Sequence, residues 1–318
     1  MTALRQPTGT AFALRDPYPW DELAGLARTG ASLGYRALFL PEIASRDTLA
    51  AITGLAGETP DLLLGTGIVP MGVRAPQLLA MAAATAQERS GGRLVLGLGT
   101  GPSAPGSLER LRDLVLALRS ALAGDQVSID GQRLLLSLIP DRPVPLWIAG
   151  LGPKAVRLAG EVADGVLLNW CTPERVARAR QELGEGAAAA GRDPVEITVA
   201  VYVRACLEPD EPAAVAAVQA AAGEYASYPS YARQLASIGL GEEAARAAEA
   251  HRAGRPDQVP ERLVREVCLV GAAAAARERL DAYREAGATL PVVYPVVVPG
   301  RDPRASAATT LAALAPGA

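Results

Sequence analysis

The chain has 318 residues, 50% of them hydrophobic and 20% charged, with a formal net charge of −3. That length fits one large barrel or two ordinary domains with a substantial core. The mildly acidic balance argues against nucleic acid or an anionic membrane surface as the main partner. A single histidine excludes a multi-histidine metal cluster, and three widely spaced cysteines, Cys171, Cys206 and Cys268, form neither a metal or redox pair nor a disulfide framework.

Residues 1–10 lack the apolar core of a signal peptide, and no apolar run approaches the ~20 residues that cross a bilayer. A cytoplasmic protein with no membrane partner is the expectation. From there, strand-like and helix-like segments alternate to the end. Strands are expected at 9–14, 36–40, 62–69, 94–98, 146–149, 165–169, 197–203 and 290–296. Nearly all are continuous apolar runs, as in strands buried on both faces of a parallel sheet. Amphipathic helices are expected between them, at 20–33, 76–89, 108–122, 153–162 and 173–190. Eight βα units favour a single closed TIM (β/α)8 barrel over an open doubly wound sheet.

Two interruptions are expected within the one domain, 1–318. Asp130-Gly131 between strand-like arms reads as a short β-hairpin before strand five. A longer helical insertion, 208–287, lies between strands seven and eight. It carries Tyr225, Tyr228 and Tyr231 at three-residue spacing, either as a packed helix face or as part of a lid. His251 falls on a polar, solvated helix of this insertion, where a surface or helix-end role outweighs catalysis.

The junction after strand five carries the sharpest local signal. Gly150-Leu-Gly152 leads into Pro153, and Lys154, the only lysine in the chain, follows. Pro is favoured at the first helical position. The following N–H groups, of Lys154, Ala155 and Val156, would then face out of the helix end, a ready anion site helped by the dipole. The plain alternative is a Gly-rich turn that needs φ > 0.

TIM-barrel chemistry sits at the C-terminal ends of the strands. Those ends read Pro41-Glu42-Ile43, Gly65-Thr-Gly67-Ile68, Gly97-Leu-Gly99-Thr-Gly101, Gly150-Leu-Gly152-Pro153-Lys154, Asn169-Trp170 and Tyr294-Pro295. Glycines at three adjacent mouths suggest close approach of a flat ring with a phosphate tail. The stretch Gly99-Thr-Gly-Pro-Ser-Ala104 also meets a loose dinucleotide pattern, but it follows the fourth strand and is broken by Pro102, so a Rossmann site is set aside. No GxSxG elbow is present.

With these residues in place, the chain resembles the luciferase-like monooxygenase superfamily over nearly its whole length. The matching pieces are Leu64-Gly-Thr-Gly-Ile-Val-Pro70, Ser90-Gly-Gly-Arg-Leu-Val-Leu-Gly-Leu-Gly-Thr-Gly101, the segment from Pro145, and Ala163-Asp-Gly-Val-Leu-Leu-Asn169. It looks most like the branch that uses coenzyme F420, a 5-deazaflavin, as methylenetetrahydromethanopterin reductase does.

The resemblance implies a non-prolyl cis peptide at Gly67-Ile68 behind the ring. It also implies cofactor contacts from Gly67, Ile68, Gly99, Gly101, Gly150, Gly152, Pro153, Lys154 and Asn169, and a homodimer. Members of the sugar-phosphate dehydrogenase type have a histidine at the mouth of strand two. Here Glu42-Ile43 stands there, which leaves Glu42 as the candidate catalytic group, a proton relay, or else a helix-end acid or salt-bridge partner.

The leading expectation is an F420-dependent oxidoreductase acting on a small molecule, more readily a reductase of an activated C=C or C=N bond. The alternatives are an FMN-dependent monooxygenase supplied with reduced flavin by a separate reductase, and a non-catalytic flavin-binding barrel.

Overall fold

Eight apolar runs stand side by side because neither of their faces tolerates water. In the computed structural model, which describes residues 9–15, 18–102 and 104–316, they are β1 (Ala11–Ala13), β2 (Ala37–Leu40), β3 (Leu63–Thr66), β4 (Leu94–Gly99), β5 (Leu146–Ala149), β6 (Gly165–Asn169), β7 (Thr198–Cys206) and β8 (Leu290–Pro295). Each pairs in parallel with the next, and β8 pairs with β1, so the barrel closes. Eight helices form the outer ring: Trp20–Ser32, Thr48–Leu55, Pro76–Arg89, Ser107–Leu122, Pro153–Val162, Pro173–Ala189, Ala273–Glu285 and Pro303–Ala313. The TIM-barrel expectation is met. Residues 1–8 and Ser103, which figure in the leader and dinucleotide readings, lie outside the described residues.

The barrel interior is filled by a few large rings among small residues. Phe39 stacks on Trp147 with centroids 5.4 Å apart and meets Tyr202 edge-on at 6.3 Å. Glycine gives these rings their space: a Cβ on Gly65 would lie 2.3 Å from Phe39, and one on Gly165 2.6 Å from Trp147. Ala11, Ala13, Ala37 and Ala200 complete the same cluster.

The N-terminal rim is stitched by side chains that bond backbone. Arg93 donates to the carbonyls of Thr59 (2.7 Å), Leu62 (2.6 Å) and Ala56 (2.8 Å). Asp164 accepts from Arg119 at 2.9 Å and from the Leu146 N–H at 2.8 Å. The Ser-Gly-Gly-Arg and Ala-Asp-Gly pieces of the family resemblance thus hold this end together.

Three expectations are refined. Residues 62–69 do not form one strand: β3 breaks after Thr66, and Val69–Pro70 resumes pairing with β4. The hairpin pairs Val127–Ile129 with Gln132–Leu134 through Asp130 (φ 50°) and Gly131 (φ 72°). Both turn residues have positive φ, as a type I′ turn requires.

Four helices of the insertion, Glu211–Ala226, Pro229–Ser237, Gly241–Arg252 and Glu261–Val267, share their own core. The final helix of the expected 208–287 segment, Ala273–Glu285, instead packs Ala276, Leu280 and Tyr283 into the barrel core. It is the seventh helix of the outer ring. No helix among the described residues is long and apolar enough to cross a membrane.

Candidate functional site at the strand mouths

The break in β3 contains a cis peptide between Gly67 and Ile68, as the resemblance implied. Its neighbours hold it from both sides. The Gly67 N–H donates to the Leu40 carbonyl at 2.8 Å, and the Glu42 N–H donates to the Ile68 carbonyl at 3.2 Å. Tyr202 from β7 reaches across the barrel, its hydroxyl donating to the Gly67 carbonyl at 3.4 Å. Ile68 is partly exposed and packs against the barrel-interior cluster. Glu42 and the Gly67-Ile68 bond therefore share one sector of the rim.

Glycine at these mouths has mostly internal causes. A Cβ on Gly67 would lie 1.6 Å from the Tyr202 hydroxyl, and one on Gly97 2.2 Å from the Thr66 carbonyl oxygen. Gly99 faces Ile68 at 2.8 Å, and Gly150 faces Val166 at 2.9 Å. Gly101 has φ 67°, which alone favours glycine. Gly152 differs, because a Cβ there would meet nothing within 4 Å. Of these mouth glycines, that is the place open to a ligand.

Gly152 is also the N-cap of the helix Pro153–Val162, with Pro153 at its start. The expected fan of three free N–H groups is reduced. Those of Ala155 and Val156 both donate to the Gly152 carbonyl, at 3.1 and 3.2 Å. The Lys154 N–H has no acceptor among the described residues, and its side chain is exposed. A second cation supports this loop. Arg175 is buried, its Nη2 donating to the Leu151 carbonyl at 3.2 Å and to Glu182 at 2.9 Å, while its Nη1 has no partner among the described residues.

Glu42 sits in a fork. Arg74 donates through Nε at 2.7 Å to Oε1 and through Nη2 at 2.8 Å to Oε2, and Arg74 also pairs with Asp47 at 2.7 Å. The Glu42 hydrogen bonds help hold the Arg74 guanidinium above its ordinary pKa. The Thr48 N–H at the start of the next helix points to Glu42 as well, at 3.4 Å. Both alternatives weighed beside the relay role, helix-end acid and salt-bridge partner, are realised.

The opposite sector holds a residue that the sequence reading passed over. Strand seven was expected to end at residue 203, yet β7 runs on to Cys206 and carries Arg204 to the mouth. Arg204 is only 4% exposed. Its Nη1 donates to Asn169 Oδ1 at 2.7 Å and its Nη2 to the Tyr225 hydroxyl at 3.2 Å. The guanidinium carbon lies 4.0 Å from the centroid of Tyr294 and 5.1 Å from those of Trp170 and Tyr225. Such contacts are worth ~2 kcal/mol each when desolvated. Burial pushes the Tyr294 phenol up to about 12, with Arg204 pulling the other way.

Asn169, expected to touch the cofactor, uses Oδ1 on Arg204 and Nδ2 on the Tyr231 hydroxyl at 2.9 Å. Gln234 then donates to the Asn169 and Trp170 carbonyls, both at 2.6 Å. Tyr225 and Tyr231 thus bring the insertion onto the ends of β6 and β7, more than a helix packed away from the mouth would do. His251 lies in the last turn of its helix and is exposed. No group of three or more metal-ligating side chains occurs among the described residues.

A model of the luciferase-like monooxygenase family matches residues 4–290. A 5,10-methylenetetrahydromethanopterin reductase of Methanolobus tindarius is 33% identical over 65% of this chain and 67% of its own length. An F420-dependent glucose-6-phosphate dehydrogenase of Beutenbergia cavernae is 32% identical over 52% of this chain and 55% of its own length. The chain therefore spans about half to two thirds of these relatives. The solved coenzyme F420-dependent tetrahydromethanopterin reductase of Methanopyrus kandleri shares the fold, with a TM-score of 0.79 over 98% of both chains at 22% identity.

Proposed function

The chain belongs to the luciferase-like monooxygenase family, and we propose that it is an oxidoreductase that uses coenzyme F420 to exchange a hydride with a small organic substrate. The observation that carries this reading is one rim that joins the Gly67-Ile68 break to an open helix N-terminus at Gly152-Pro153-Lys154. A ring needs a shaped wall, and a phosphate tail needs N–H donors and positive charge. When bound, the deazaflavin supplies the hydride at C5, and the protein orients it and excludes water.

Ile68 forms the wall, backed by Tyr202 through Gly67. Gly99, Gly101 and Gly150 shape the adjoining mouths. Gly152, Pro153 and Lys154 receive the tail, and Arg175 fixes the Leu151 carbonyl beneath it. Asn169 borders the ring through its bonds to Arg204 and Tyr231. Glu42 holds Arg74 at the rim rather than relaying a proton, because Arg74 occupies both of its oxygens. Reduction of an activated C=C or C=N bond is preferred to alcohol oxidation, which needs a base. The one histidine of the chain sits far along the insertion, on an exposed helix.

The test is titration of the purified protein with coenzyme F420 and with FMN, read by absorbance and fluorescence. F420 binds at least about ten-fold more tightly. Equal affinity moves the reading to the FMN-dependent monooxygenase, and binding of neither cofactor removes both. The chain also pairs with itself in this proposal. Support comes from the exposed Leu78 and Met81 on the helix Pro76–Arg89, and light scattering decides it.

A further inference from the structure

Two arginines are buried among the described residues, Arg175 and Arg204. Arg175 is paired with Glu182 at 2.9 Å. Arg204 has no carboxylate partner among the described residues. A buried charge without a counter-ion is costly, and a guanidinium does not escape by losing its proton. Its surroundings deepen the imbalance. Among the described residues, two of its five N–H groups have an acceptor, Asn169 Oδ1 and the Tyr225 hydroxyl. The neighbouring Trp170 Nε1 is buried with no acceptor among the described residues. This corner of the mouth is rich in donors, aromatic on its walls and short of negative charge.

The geometry points to Arg204 as the residue that receives a carboxylate of the substrate, stacked among Tyr294, Trp170 and Tyr225. The inference rests on reading the strand mouths as the reaction site and adds the substrate class: a small planar monoanion. One planar fork matches one carboxylate, two parallel N–H groups to two oxygens. A phosphate dianion would leave a net negative charge in an apolar box with a single cation, so it is disfavoured. A neutral substrate would leave Arg204 uncompensated. The low aromatic content and the lack of a basic pocket motif in the sequence argue mildly against a highly anionic substrate, and a monoanion held by one arginine is compatible with that.

The probes are benzoate and crotonate, each against its neutral amide, with inorganic phosphate as the third arm. Binding is followed by calorimetry on the protein with and without coenzyme F420. The carboxylates bind saturably, the amides at least about ten-fold more weakly, and phosphate does not compete with the carboxylates. Arg204→Met lowers carboxylate affinity about ten-fold or more, a larger loss than any it causes in F420 affinity through Asn169. Arg204→Lys, which keeps the charge and loses the fork, lies between the two.

Equal binding of carboxylate and amide, or of neither, by the wild-type protein overturns the inference whether or not the variants fold. Competition by phosphate overturns the carboxylate assignment. An unchanged carboxylate affinity in Arg204→Met makes the residue a latch for the insertion and nothing more. Failure of F420 to bind, with carboxylate discrimination intact, counts against the cofactor reading and leaves this one standing.

Discussion

The two ends of the barrel spend their charged side chains differently. At the N-terminal rim, Arg93 meets three carbonyls and Asp164 meets a backbone N–H and Arg119. At the C-terminal rim, among the described residues, Arg204 has no anion and Trp170 Nε1 and Arg175 Nη1 have no partner. Satisfied polar groups specify a structure, whereas unsatisfied buried donors mark where something else must arrive. The difference separates residues that hold the barrel from residues that use it.

The contrast breaks most readily at Asp164. Asp164→Ala strands the Leu146 N–H and removes a partly exposed ion pair with Arg119, and it costs ~3 kcal/mol, read as a lower urea midpoint. Gly67→Ala tests whether the mouth also carries structural load. The new Cβ would sit 1.6 Å from the Tyr202 hydroxyl, so it costs ~3 kcal/mol by overpacking. Tyr202→Phe in the same chain recovers part of that, since the next atom stands 2.7 Å away. A double-mutant cycle with no coupling would remove this explanation of Gly67.

Arg204→Met sharpens the comparison from the other side. Met relieves a buried cation without a carboxylate partner, which offsets part of the loss of its bonds to Asn169 and Tyr225 and of its ring contacts, so the change costs less than that at Asp164. A loss as large as that at Asp164 would make the two rims alike.

The smallest effect concerns pH. Burial pushes Cys171 and Cys268 up to about 12 and Cys206 up to about 11, from 9.0. A folded pKa above the unfolded one means that the stability it reports is complete below pH 9 and is lost as pH rises toward 11–12. The urea midpoint should therefore fall above pH 9. At pH 8 a thiol reagent should label the chain only on unfolding.

The fold was legible because both its periods are strong. Apolar runs of four to eight alternate with amphipathic helices, and both ends of all five expected helices fell within a residue of those observed. The open helix N-terminus was legible through Gly152-Pro153-Lys154. What stayed hidden involves contacts distant in sequence. Nothing local to Glu42 announces Arg74, thirty-two residues away. Glycines that read as room for a ligand are room for Tyr202, Ile68 and Val166. Arg204 was missed because a charged residue at the end of an apolar run reads as the strand's end. The available signal was the aromatic company on the opposing elements, Tyr225 and Tyr294, which only the fold assembles.

The upper end of β7 has a consequence for how this molecule diversifies. Below, β7 pairs with β6 from Thr198 to Tyr202; above, Arg204, Ala205 and Cys206 pair with Cys268, Leu269 and Val270. Those three pairs clasp the excursion of helices at its base, while β8 continues alongside β7. The excursion is thus a module buttoned onto a finished barrel. Lengthening a closed loop costs little, ~0.6 kcal/mol per doubling. Such a module can be rebuilt around Arg204 while the sector of the rim that carries Ile68, Gly99 and Gly152 stays as it is, so one side of the mouth can change without disturbing the other.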